Sequence, residues 1–124
     1  MSVRCVDASC PVARAVHVLD GKWTMLIIRD LLTGTRRFSE LRQSLAGISP
    51  KTLTDRLREL EDHGVVTRTC YPEIPPRVEY TLTDLGLQLR PVVNALGTWG
   101  AGMPATTTFR PPTGDPQDSS RSRR

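Results

Sequence analysis

Lys51, Asp55 and Arg58 follow one another at intervals of four and three residues. At about 100° per residue a helix would carry all three on one side, with Thr52 and Thr54 on its flanks. Side chains of these types hydrogen-bond to base edges and phosphates. The same segment, Pro50 to His63, carries Leu53, Leu57 and Leu60 at i, i+4 and i+7, an inward apolar stripe nearly opposite the polar side. Ser49, followed by Pro50, can open this helix and completes its set of candidate DNA contacts. Arg56 leans toward the buried side, where it can hold a phosphate or brace the fold. Alone, the segment reads equally as a solvated surface with ordinary ion-pair spacing, Lys51 with Asp55 or Asp55 with Arg58. Its context favours DNA. Arg36 and Arg37 precede it as candidate phosphate clamps, and Arg77 follows as a candidate wing contact.

Charge distribution supports this reading better than net charge. The chain has 17 Lys plus Arg against 13 Asp plus Glu, an excess too small to require a polyanionic partner. Between Arg36 and Arg58, however, six basic residues (Arg36, Arg37, Arg42, Lys51, Arg56, Arg58) stand against two acidic ones (Glu40, Asp55). The next four positions, Glu59 to Asp62, hold three acids. A positive front with a negative rear would orient the domain on a duplex.

A second chemistry is carried by thiols. Cys10 precedes Pro11, so with proline at the first helical position the cysteine becomes the N-cap. Unpaired backbone amides and the helix dipole there favour a thiolate. Cys5 could resolve an oxidised Cys10 or do nothing, and Cys70, near a strand end, is expected to pack. Three cysteines and the absence of an apolar signal core point to a reducing compartment without a disulfide framework. The spacing of Cys5 and Cys10 matches no common zinc pattern, even with His17 and His63 added, so no metal and no cofactor is expected. Nor is an enzyme: the histidines stand alone, no glycine-rich phosphate cradle occurs, and no nucleophile has a recognisable base.

The elements that must position these residues are marked by their punctuation. A helix from Pro11 to Leu19 ends at Asp20-Gly21. The segment Lys22 to Leu32 is too apolar for a surface helix and forms the centre of the core. Ser39 is a plausible N-cap for a helix to Leu45, which Gly47 can end in a left-handed conformation. Gly64 stops the Pro50 to His63 helix. Strands follow over Val65 to Thr69 and Arg77 to Leu82, the second alternating Val78, Tyr80 and Leu82 against Arg77, Glu79 and Thr81. Pro72, Pro75 and Pro76 stiffen the loop between them. This order predicts an α+β, mainly α, winged helix-turn-helix with a small antiparallel β-wing and a C-terminal dimerisation helix. That helix is capped by Thr83, carries Leu85, Leu89, Val92, Leu96 and Trp99 as a heptad seam, and is kinked by Pro91. Trp23 and Trp99 belong to core or interface rather than to base stacking. A length of 124 residues implies one domain, over 10–100, between a flexible leader at 1–9 and a disordered tail at 101–124. No segment approaches the roughly 18 apolar residues of a membrane span, and a cytoplasmic location is expected.

The segments Cys10-Pro11, GKWTMLIIRDLLTGTRRFSELR, GISPKTLTDRLRELEDHGVVTR, YPEIPPRVEYTLTDLG and Trp99-Gly100 resemble those of the HxlR-type regulators, a bacterial winged-helix group similar to the MarR family. The resemblance spans roughly residues 10 to 100. It implies a homodimer on a pseudo-palindromic operator in double-stranded DNA, with the Pro50 to His63 helix in the major groove and the Tyr71 to Arg77 wing beside it. Some members of the group sense electrophiles or oxidants through a cysteine placed like Cys10, eleven residues ahead of the glycine matched by Gly21. The expectation is therefore a sequence-specific DNA-binding transcriptional regulator, a repressor, responsive through Cys10 to a small electrophile, oxidant or other inducer. The alternative is a winged-helix module that docks a protein partner on the same surface.

Overall fold

The leucine stripe of the Pro50 segment needs an apolar wall opposite it, and the segment around Trp23 supplies one. The computed structural model describes residues 9–104. In chain order the elements are α1 (Pro11–Val18), α2 (Thr24–Leu31), β1 (Arg36–Arg37), α3 (Phe38–Ser44), α4 (Pro50–Asp62), β2 (Val66–Tyr71), β3 (Arg77–Leu82), α5 (Asp84–Leu87) and α6 (Arg90–Ala101). Ile27 and Ile28 of α2, Leu41 of α3 and Leu53, Leu57 and Leu60 of α4 are buried together, and Val65, Val66, Tyr80 and Leu82 close the core from the hairpin side. Phe38, Val78, Leu89 and Val93 pack around its edge. The expected architecture, mainly helical with a small antiparallel sheet, is the one observed.

Local chemistry sets the joints. Gly47 adopts φ 98° between α3 and α4, the positive value its position required. At the end of α4, Gly64 (φ 77°) lets Val65 N–H reach the Leu60 carbonyl at 2.9 Å while Gly64 N–H reaches Glu61 at 3.0 Å. This pair of bonds is a Schellman closure, and it turns the chain directly into the hairpin. It also corrects the strand limits: Val65 is committed to the helix exit, and β2 starts at Val66 and runs to Tyr71.

The sheet has three strands in the order β1-β3-β2, all antiparallel. Its third strand is absent from the sequence expectation. Arg36 and Arg37 become a strand only by pairing with Tyr80 and Glu79 on the free edge of β3. The same pairing draws Arg37 into the N-cap of α3, in place of the expected Ser39. Its backbone N–H donates to Glu40 Oε1 at 2.8 Å, with the carboxylate reaching back from the first turn.

The C-terminal segment differs more. In place of a single kinked helix, α5 stops at Leu87 and α6 restarts at Arg90 with Pro91 in its first turn. The reason is local: in a continuous helix the Pro91 ring would clash with the carbonyl of Leu87 and leave a bond unmade, whereas a first-turn proline loses nothing. Thr83 caps α5 as expected, accepting from Gly86 N–H at 3.2 Å. It also donates to the Gly64 carbonyl at 2.6 Å, tying α5 to the end of α4. Gly86 lies flat against the chain there; a Cβ would strike the Val65 carbonyl and approach Leu82 Cδ2 to 2.8 Å. An Arg90 guanidinium bond to the Leu32 carbonyl, 2.9 Å, fixes the start of α6 on the end of α2.

The heptad seam is therefore divided. Leu89 packs on the core, while Leu85, Val92, Leu96 and Trp99 are exposed, Trp99 by 69%. Trp23, by contrast, is buried. On α1 no residue is buried, and Val12 and Val16 face outward one turn apart. No helix among the described residues is long and apolar enough to cross a membrane. Residues 1–8 of the expected leader, with Cys5, and residues 105–124 of the expected tail lie outside the described residues.

Candidate nucleic-acid interface

Ser49 opens α4 by accepting from Thr52 N–H at 3.1 Å, and Pro50 occupies the first turn, where its missing N–H costs no bond. Thr52 lies further in than Lys51. Its side chain is buried at 6% exposure and its hydroxyl meets Ser49 Oγ at 2.9 Å, so it belongs to the cap rather than to the presented side. Lys51 stands in solvent with its ammonium 2.9 Å from Asp55 Oδ2. An exposed pair of this kind contributes about 0–1 kcal/mol, so Lys51 can exchange Asp55 for another anion at small cost. Arg58 is exposed one turn further along, and Thr54 is half-buried beside it. Arg56 pairs with Glu59 at 2.6 Å, and its stem lies over Gly21, where an added Cβ would sit 3.1 Å from Arg56 Cδ. Of the two roles open to Arg56, this geometry supplies the brace, joining α4 to the turn before α2.

The wing is stiffened from within. Arg77 donates to Glu73 Oε2 at 2.7 Å and to Glu79 Oε2 at 2.6 Å, and its guanidinium stacks 3.9 Å from the centre of the Tyr71 ring. The expected phosphate contact is thus a cation already matched by two carboxylates, and it straps the two ends of the proline loop together. The Arg77 hydrogen bond holds the Glu73 carboxyl below its ordinary value of 4.5. Ile74 projects fully exposed from the tip. Arg36 bonds Thr33 Oγ1 at 2.6 Å, whereas the Arg37 side chain is exposed and makes no ion pair among the described residues.

Between α4 and the wing lies a cleft of about 890 Å³, floored by Arg37, Thr54, Arg58, Arg68, Arg77 and Tyr80 among others. Four arginines line it against two acids, Glu61 and Glu73. The fold thus brings Arg37, Thr54, Arg58 and Arg77 to one recess and leaves Lys51 and Asp55 on the outer edge of α4. Sequence reasoning missed Arg68; the alternation of β2 relative to Tyr80 is the signal that could have found it. It also missed the outward valines of α1, legible as an i, i+4 pair. Cys10 is at the N-cap of α1, as expected, but is buried at 5% exposure, with backbone φ −75° and ψ 121°. Cys70, expected to pack, is exposed on β2.

Comparison with known proteins assigns this arrangement. The HxlR-like helix-turn-helix family matches residues 18–107. The chain belongs to the HxlR-like family. An uncharacterised HTH-type transcriptional regulator of Synechocystis sp. is 50% identical over 92 residues, covering 74% of this chain and 68% of that protein. Among solved structures, one from Porphyromonas gingivalis, assigned to the MarR family of transcriptional regulators, superposes with a TM-score of 0.75 at 40% identity, covering 77% of this chain and 94% of that one. The redox regulator HypR in its oxidized form superposes with a TM-score of 0.72 at 38% identity, covering 78% of this chain and all (100%) of that one. HxlR-like membership places the chain among helix-turn-helix transcriptional regulators and not among enzymes.

The wing strap makes a titration test possible. A carboxyl with a depressed folded value stabilises above its unfolded value, and that contribution is lost as pH falls through the folded one. Arg77→Gln should therefore raise the Glu73 titration toward the ordinary carboxylate range, read by carbonyl NMR, and loosen the loop at neutral pH. A Glu73 midpoint that does not move would dissociate the strap from Arg77.

Proposed function

We propose that this HxlR-like protein is a sequence-specific DNA-binding repressor that acts in the cytoplasm as a homodimer on a pseudo-palindromic operator, with a thiol switch at Cys10. The observation that carries the DNA reading is the joint placement of an exposed polar edge on α4 and an arginine-lined cleft under the wing. An α-helix fits the major groove, and guanidiniums beside it meet the flanking phosphates. In this reading Lys51, Thr54 and Asp55 face base edges, Arg37 and Arg58 the backbone, and the strapped wing lies alongside. Arg36 stands behind them and Ser49 contributes through the helix start.

The dimer reading rests on apolar surface left without cover in the described chain. Val12 and Val16 of α1 and Val92, Leu96 and Trp99 of α6 are all exposed. Five large apolar side chains on the two terminal helices suit a self-complementary interface. Two copies so joined would set their α4 helices about 34 Å apart, one turn of duplex. Because α1 starts at Cys10, chemistry on that sulfur would act on a helix of the same surface, and a small tilt would misalign both half-sites. The redox regulator HypR, similar in fold, supports a redox trigger.

Three measurements test these statements. Duplexes selected from a random pool by the parent should differ in sequence from those selected by Lys51→Ala, and parent affinity should fall steeply with salt; identical selections would place recognition elsewhere. Leu96→Glu with Trp99→Ala should convert a dimer to a monomer in sedimentation, and an unchanged dimer would remove α6 from the interface. Diamide or a quinone should release the selected duplex from the parent but not from Cys10→Ser. Equal release from both would end the thiol switch.

A further inference from the structure

The inner face of the β2–β3 hairpin changes character along its length. Cross-strand pairing sets Val66 opposite Leu82, Arg68 opposite Tyr80 and Cys70 opposite Val78, and the alternation of strands puts all six on one face. Val66, Leu82 and the Tyr80 ring belong to the core. Arg68 therefore stands on the face that is elsewhere apolar, at the point where the core ends and the cleft beneath the wing begins. Beyond Val66 the strand leaves the core, and Arg68 and Cys70 on this face are exposed, as Thr67 and Thr69 are on the other.

Arg68 stands opposite Tyr80 across the hairpin, where the phenol raises the guanidinium's hold on its proton. Burial pushes that phenol above its ordinary value, against the opposing effect of Arg68, so it is neutral at physiological pH and leaves the guanidinium charge uncompensated. No carboxylate among the described residues lies within ion-pair distance of Arg68; Glu61 acts on it only through its field. Arg37 and Arg58 line the same cleft, also without ion pairs among the described residues, whereas Arg77 is matched by Glu73 and Glu79. Three planar cations that make no ion pair among the described residues, in a recess between helix and hairpin, suit the bidentate geometry of phosphate oxygens.

We propose that Arg68, together with Arg37 and Arg58, seats the sugar-phosphate backbone of the duplex in the cleft between α4 and the wing, with Tyr80 as the positioning residue for Arg68. This rests on the DNA reading above and adds to it a contact from the base of the hairpin, where that reading used α4 and the wing loop. The cleft then takes backbone, base edges are left to Lys51 and Asp55 on the outer edge of α4, and Thr54 stands at the boundary between the two.

The test is duplex affinity of the full chain against sodium chloride, by fluorescence anisotropy on a random-sequence duplex. Arg68→Ala and Arg68→Gln should each reduce the salt slope by about 0.9 for every phosphate that the variant no longer neutralises. Arg68→Lys, which keeps the charge, should keep the slope. Tyr80→Phe should lower affinity by roughly threefold to tenfold, the effect of one hydrogen bond, with the slope retained. Two neutral variants guard against a folding defect, since a purely structural arginine would lower the melting temperature and leave the slope alone. A parental slope in the folded Arg68→Gln protein overturns the inference and leaves the DNA reading standing. Absence of salt-dependent duplex binding by the parent overturns both. If inorganic phosphate displaces the duplex from the parent better than chloride at equal ionic strength, and this advantage vanishes in Arg68→Gln, the cleft is a free-anion site and the backbone assignment fails.

Discussion

The rotation of α4 about its own axis is the constraint from which the rest follows. Leu53, Leu57 and Leu60 are buried to within 1% against α2, α3 and the hairpin. Each leucine so buried contributes about 1.5–3 kcal/mol relative to exposure, whereas the Lys51–Asp55 pair on the opposite side is worth about 0–1 kcal/mol. Packing therefore decides which side of the helix faces out, and the polar edge is presented because nothing of comparable strength competes. A slip of one residue would turn that edge by about 100° and bury a charge.

The wing solves a different problem, since it projects beyond the core. It has no leucine stripe to hold it, so its order comes from backbone restriction by Pro72, Pro75 and Pro76 and from Arg77, which ties Glu73, Glu79 and Tyr71 into one cluster. Using the arginine in this way leaves it matched by acids. Arg37, Arg58 and Arg68 in the cleft make no ion pair among the described residues, so positive charge free of a carboxylate partner lies in the recess behind the wing tip.

At the ends of the described chain the balance shifts from self-sufficiency to association. α1 contributes no buried residue and α6 buries little beyond the edge contact of Val93, yet both carry large aliphatic side chains and α6 carries Trp99. A helix-turn-helix core complete without them can lend both helices to a second subunit. Cys10 stands where the first of these helices begins, so the proposed switch and the proposed interface share one element.

What the amino-acid order determined is what a few neighbouring residues can encode. The period of Leu53, Leu57 and Leu60 specifies α4; Gly47, Gly64 and Ser49-Pro50 specify its joints; the alternation from Arg77 to Leu82 specifies β3; and the matched motifs carry the family. Each depends on backbone preferences or on a repeat within one element. Tertiary structure alone decided which charges are neutralised and which are available. Arg36 and Arg37 became a strand because β3 had a free edge, Thr52 turned into a cap, Arg56 became a brace over Gly21, Arg77 found two carboxylates, and Arg68 met Tyr80 across the hairpin. Gly86 lets α5 lie against the Val65 carbonyl, a closeness that only the packed chain shows. Charge compensation and strand pairing depend on which residues meet in space, a property of the packed chain that no local window of letters contains.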